Sequence, residues 1–295
     1  MTRRAIILFA ALGIAWGIPY LLIKIAVGEV DPLVVVFARS ALGGLILLPL
    51  AFARRQVLPV LRRWKPLLAY TVVEIVVPWF ALSTAELHLP SSTAGLLLAA
   101  IPLVSVGVAV LFGRPAHLSR GNWIGILLGM LGVAALVGLD VAGSDLIGVA
   151  EIAVVVVGYA VGPAILSRWM SDLSGLGVVA LSLVIAAIVY LPALLLTGTW
   201  PDEMPSTKVV VSIVLLAVVC SAAAFLLMFD LIGEVGPMRA TTITYLNPAV
   251  AIAAGAIVLH ERITVWTVIG FVLVLSGSFL VTRQVKRSAV PRMAG

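Results

Sequence analysis

Charge is what this chain has least of. Asp, Glu, Lys and Arg make up 11% of the 295 residues against 62% apolar, with a mean hydropathy of +1.22. A soluble domain needs a polar exterior that this composition cannot supply, so the chain reads as an integral membrane protein. Cysteine is nearly absent. Cys220 stands alone in an apolar run, which excludes an internal disulfide and reads as a small core residue. No Gly-x-x-x-x-Gly-Lys loop occurs, which argues against ATP hydrolysis by this chain. Three histidines, His88, His117 and His260, fall on different sides of the membrane and form no metal site, and His260-Glu261 lacks the second histidine of a zinc protease. No cofactor is expected. No linker is long enough to hold a soluble domain.

What the chain does have is ten apolar runs, roughly 5 to 26, 32 to 53, 66 to 87, 91 to 113, 121 to 139, 146 to 168, 175 to 197, 207 to 232, 237 to 259 and 264 to 282. Each is long enough to cross a bilayer as a helix. Arg3 and Arg4 precede the first run as in a secretory leader, but that run is too long for a leader and is kept as the first helix. With a cytoplasmic N-terminus, fifteen basic residues fall on the inner side, among them Arg54, Arg55, Arg62, Arg63, Arg114, Arg168 and Arg239, and only Lys208 and Arg262 fall outside. That imbalance places both termini in the cytoplasm, and it explains the net charge of +6 better than nucleic acid binding does.

The run from Thr241 to Arg262 is interrupted at its middle by Asn247-Pro248. A proline there removes a backbone donor and kinks the helix, so this helix is expected to lie among other helices, away from lipid. It has a counterpart in Pro102, and the pairing extends along the chain: Pro19 with Pro163, Pro49 with Pro192, Gly125 with Gly270 and Gly132 with Gly277, all at offsets of 143 to 146. Two copies of one five-helix unit follow, residues 1–145 and 146–295. An odd number of helices per copy turns the second upside down relative to the first, giving an all-α membrane protein of two inverted repeats around a central cavity.

At this point the residues resemble a known group, the ten-helix EamA-like branch of the drug/metabolite transporter (DMT) superfamily. The resemblance is carried by Trp16-Gly17-Ile18-Pro19 followed by Lys24, by Pro102 and Pro248, by Leu259-His260-Glu261-Arg262-Ile263-Thr264 and by the glycines of the last run. The segment Gly113-Arg114-Pro115-Ala116-His117-Leu118-Ser119 departs from it, having no acid after the fourth helix. The resemblance implies a bacterial inner-membrane carrier of small metabolites, often an exporter of amino acids or related compounds and sometimes of toxic amphiphiles. It also implies that helices 5 and 10 pack together at the periphery, and Gly121, Gly125 and Gly129 suit such a contact.

Ionisable residues inside a membrane are functional candidates. Lys24, Arg39, Glu86 and Glu151 fall in the outer third of their helices, where they either bind a zwitterion, form an outer gate, pair with one another or reach the interface; Glu86 is read as the most interfacial. Glu74 lies deeper, four residues before Pro78-Trp79, and is the candidate for a coupling proton or a substrate amine unless it pairs with Lys24 or Arg39. Asp230 is read as interfacial. Trp16, Tyr20, Trp79, Tyr159, Tyr245 and Asn247 are the mid-membrane aromatic and polar groups expected to line a small-molecule site. The expected function is secondary transport of a small molecule. An intramembrane enzyme or a lipid-substrate-handling protein is the alternative; it would need paired acids or a nucleophile with its base, and no such constellation is found. A purely structural or sensory subunit would not need broken helices.

Overall fold

The computed structural model describes residues 2–111, 120–139, 145–236 and 240–288. Among these residues all regular structure is helical. Eight helices are long and apolar enough to cross a membrane: α1 (Arg3–Val27), α2 (Pro32–Ala53), α3 (Trp64–His88), α4 (Ser91–Ala109), α5 (Arg120–Val137), α6 (Leu146–Trp169), α7 (Gly175–Thr197) and α8 (Thr207–Val235). Two shorter apolar helices follow, α9 (Thr242–Val258) and α10 (Val265–Val281). Of the ten expected spans, eight appear as helices long and apolar enough to cross a membrane, and the last two as shorter apolar helices. The divergent segment 113–119, Asp140, Pro237, Arg239 and residues 289–295 lie outside the described residues.

Proline shapes the long helices as the sequence predicts. Pro19 offers no N–H to the preceding turn, so α1 is interrupted at Ile18 and resumes with proline in the first turn, where its missing donor costs nothing. α4 tightens over Leu98–Ala100 just before Pro102, and α9 begins with a tight stretch, Thr241–Tyr245, before Asn247-Pro248. The breaks meet. A Cβ added to Gly17 of α1 would land on the Val250 side chain of α9 and 3.2 Å from the Asn247 carbonyl oxygen, and one on Gly13 would land on Leu246.

A second pair of irregularities was not anticipated. α3 widens into a π-helical stretch at Thr71–Val76 and α8 into another at Val218–Ala223, an offset of 147 residues. A wide turn loosens the regular ladder and leaves carbonyls to be satisfied by other groups. In α3 the Tyr190 hydroxyl of α7 donates to Val76 O at 2.6 Å, and in α8 the Ser221 hydroxyl donates to Leu216 O at 2.9 Å.

Close contacts fix the sense in which helices pair. α5 and α10 run antiparallel: Asn122 Nδ2 donates to Val281 O at 3.0 Å, Gly125 backs onto Gly277, Gly132 onto Val274 and Gly270 onto Leu136. α4 and α9 run antiparallel as well, with Gly95 against Ala251 and Ser91 against Gly255. Gly44 of α2 meets Val184, while Gln56 beyond its end meets Gly177 at the start of α7. The glycine-to-glycine approach of α5 and α10 is the pairing that the family resemblance implies; with no hydrophobic force between helices in lipid, such close backbone packing supplies the attraction.

Candidate functional site

Arg39 lies in the third turn of the apolar helix α2 and is buried, at 7% exposure. Trp79, delivered one residue after the helix-breaking Pro78, presents its ring to the guanidinium, whose carbon is 3.7 Å from the ring centroid. From the widened turn of α8, Ser221 Oγ accepts the Arg39 Nε–H at 2.9 Å and donates its own O–H to Leu216 O at 2.9 Å. This cluster joins α2 and α3 to α8. The titratable groups within electrostatic range of the arginine are Cys220, Tyr159, Tyr190 and Tyr20. Among the described residues no carboxylate forms an ion pair with it.

The acids lie nearby but apart. Glu74 sits in the widened turn of α3, and a Cβ placed on Gly162 of α6 would overlap its carboxylate, so that glycine makes the room it occupies. Its Oε2 is buried and accepts no hydrogen bond. Glu74 therefore has neither Lys24 nor Arg39 as a partner, and it falls within range of Tyr70 and Tyr159. The Lys24 ammonium donates to the backbone oxygens of Glu86 and of Leu89, the latter at 2.9 Å, so it closes the C-terminus of α3. Glu86 is the clearest departure from expectation. It is fully buried, with both carboxylate oxygens lacking a hydrogen-bond partner, where an interface had been expected, and Lys24 donates to its backbone oxygen.

The remaining predicted residues divide. Tyr20 is buried beneath Gly95, and Asn247 holds a buried Oδ1 without a partner at the break of α9. Glu151 also keeps a buried, unpartnered Oε2. Trp16 meets Phe225 of α8 edge to face, ring centroids 5.9 Å apart. Tyr245 is turned toward α10, where its hydroxyl donates to Ser278 O at 3.1 Å and its ring packs on Phe279. Asp230 is exposed, as expected. Two residues of the cluster had gone unnoticed, Ser221 and Tyr190. Ser221 was findable, since it stands 147 residues after Glu74, close to the repeat offset.

A cavity of about 280 Å³ lies away from this cluster, in the seam between α2 and α7, lined by Phe37, Gly44, Leu45, Val184 and Ile188 among others. Its lining is apolar, and Leu45 and Ile188 are largely exposed at its rim. No group of three or more metal-ligating side chains occurs among the described residues.

The profile of the EamA-like transporter family matches the chain twice, over residues 3–138 and 146–283. The chain is 27% identical over 303 residues to the uncharacterized transporter YvbV of Bacillus subtilis (strain 168), covering 97% of this chain and 93% of that one. It is 29% identical over 250 residues to the uncharacterized inner membrane transporter YedA of Escherichia coli (strain K12), covering 83% and 79%. A solved crystal structure shares the fold with a TM-score of 0.67 at 20% identity, over 98% of this chain and all of that one. With eight long apolar helices, buried charges between them and a family profile spanning both halves, the chain belongs to the EamA-like transporter family.

Proposed function

We propose that this protein is a secondary carrier that exports small metabolites, amino acids or related compounds or toxic amphiphiles, across the bacterial inner membrane by alternating access. Its moving parts are two inverted five-helix halves, residues 1–145 and 146–295, with ten membrane crossings and both termini in the cytoplasm. The twofold family match and the antiparallel pairing of α2 with α7, α4 with α9 and α5 with α10 support the inverted arrangement. The name of the Escherichia coli relative supports the inner membrane.

The observation that carries the proposal is the hydrogen bond from Arg39 of the first half to Ser221 of the second. A buried charge within a membrane-spanning helix marks a pathway, and one held between two halves that rock against each other is exposed to each side in turn. Trp16, Tyr20, Trp79, Tyr159 and Asn247 form the walls of the site, Lys24 and Glu151 lie toward its outer end, Glu74 takes the coupling proton, and Tyr245 tethers α9 to α10. The test is counterflow. Proteoliposomes of the full chain, loaded with a pooled set of unlabelled amino acids, should accumulate a labelled member of the pool; absence of exchange for every compound in an amino acid and amphiphile panel would remove the carrier reading.

A further inference from the structure

The Arg39 guanidinium is bound on one side and one edge only. Trp79 covers a face and Ser221 takes Nε, while Nη1 and Nη2 have neither an acceptor nor an ion-pair partner among the described residues. Burying a cation is costly unless it is paired. An aromatic ring offsets part of that cost but engages the face of the guanidinium, leaving its outward fork of N–H groups unused. That fork matches the two oxygens of a carboxylate or phosphate. No acid is hydrogen-bonded or ion-paired to the arginine among the described residues. Among the described residues no carboxylate pairs with this charge, although Glu74, Glu86 and Glu151 all lie in the membrane-spanning helices with oxygens unpartnered.

We infer that the free fork of Arg39 is the receptor for an anionic oxygen group of the transported compound, so that this carrier selects carboxylate- or phosphate-bearing metabolites and rejects cationic amphiphiles. This rests on the carrier reading above and narrows it. The ligand supplies the counter-charge that the fold withholds, and Trp79 together with Ser221 keeps the fork presented: the ring prevents the plane from tilting, and the hydroxyl, itself anchored to Leu216 O, fixes rotation about the Nε bond. A cation brought to the same place meets an unscreened positive charge.

The purified full chain in detergent should be titrated with 4-methylpentanoate, 4-methylpentanamide, isoamylamine, glycerol 3-phosphate and glycerol, reading the melting temperature, and the same compounds should be tested in counterflow. Stabilisation by 4-methylpentanoate or by glycerol 3-phosphate, without stabilisation by the uncharged or cationic counterparts, is expected, and which of the two anions acts separates carboxylate from phosphate recognition. Arg39→Gln should lose about tenfold or more in affinity for that anion, and Arg39→Lys, which keeps the charge but not the fork, should recover only part of it. Binding of the amide or amine as tight as that of the carboxylate, no binding of either anion, or a ligand shift in Arg39→Gln equal to that of the wild type would each overturn the inference. Anion binding that depends on Arg39 without any counterflow would uphold the site while removing the carrier reading; counterflow of the amine with no effect of the anions would do the reverse.

Discussion

The Glu261 carboxylate, just past the end of α9, accepts the backbone N–H of Ser91 at 2.7 Å and that of Ser92 at 3.0 Å. These are among the amides that a helix leaves unpaired in its first turn, and the negative charge also sits at the positive end of the α4 dipole. The Leu-His-Glu-Arg stretch that resembles the family motif is thus a clamp holding α9 on α4. Glu261→Ala should cost about 1–2 kcal/mol, and Glu261→Gln less, because the amide oxygen still accepts. Thermal unfolding in detergent checks this; equal melting temperatures for Glu261→Ala and wild type would show that the clamp carries no stability.

Backbone contact between α5 and α10 gives a second expectation. A Cβ on Gly125 would lie 2.7 Å from Gly277 O, whereas one on Gly107 meets nothing within 4 Å. Gly125→Val should therefore destabilise by about 1–3 kcal/mol, and Gly107→Ala should stay within about 0.5 kcal/mol of wild type. Yield and melting temperature of the two variants, compared side by side, decide the matter.

Glu74 is confined by Gly162, so the two positions should act together. Glu74→Gln should retain exchange of substrate and lose accumulation driven by a pH gradient. Gly162→Ala should displace the carboxylate and give the same phenotype in milder form. A wild type indifferent to the gradient, or a Glu74→Gln protein as gradient-dependent as wild type, would remove Glu74 from coupling.

Glu29 lies outside the membrane-spanning helices, and its carboxylate accepts both the Ser206 hydroxyl at 2.7 Å and the Ser206 amide at 3.0 Å at the start of α8. These bonds hold its pKa below the ordinary value of 4.5. A pKa depressed by folding adds stability that is fully present above the unfolded value and is lost as pH falls through the folded one. Below pH 4.5 the Ser206→Ala protein should accordingly lose melting temperature less steeply than wild type. Identical acid limbs would show that the Ser206 hydroxyl contributes nothing to the depression.

Much of the frame was legible because proline and glycine write backbone events directly into the sequence. Pro19, Pro102 and Pro248 each mark an irregular turn, and Gly125 and Gly277 mark the contact of α5 with α10. The widened turns were not legible, since nothing in Val218–Ala223 breaks a helix and the turn there depends on the Ser221 hydroxyl taking up a freed carbonyl. Position along a helix also says little about burial by neighbouring helices. Glu86 reads as interfacial by distance from the helix end, yet neighbouring helices bury it, and nothing in the sequence around Lys24 shows that its ammonium donates to the carbonyls at the end of α3. Side-chain direction around a helix axis depends on tertiary neighbours, which is why Tyr245 faces α10 despite a mid-membrane position.

The antiparallel pairing of α2 with α7, α4 with α9 and α5 with α10 has an electrical consequence. Helix dipoles of opposite sense cancel within each of these three pairs. A voltage across the membrane then acts in these pairs mainly on discrete side-chain charges, at about 2.3 kcal/mol per elementary charge per 100 mV for full translocation. On the anion-receptor proposal, a bound anion offsets the Arg39 charge, and the loaded protein would reorient without working against the resting potential.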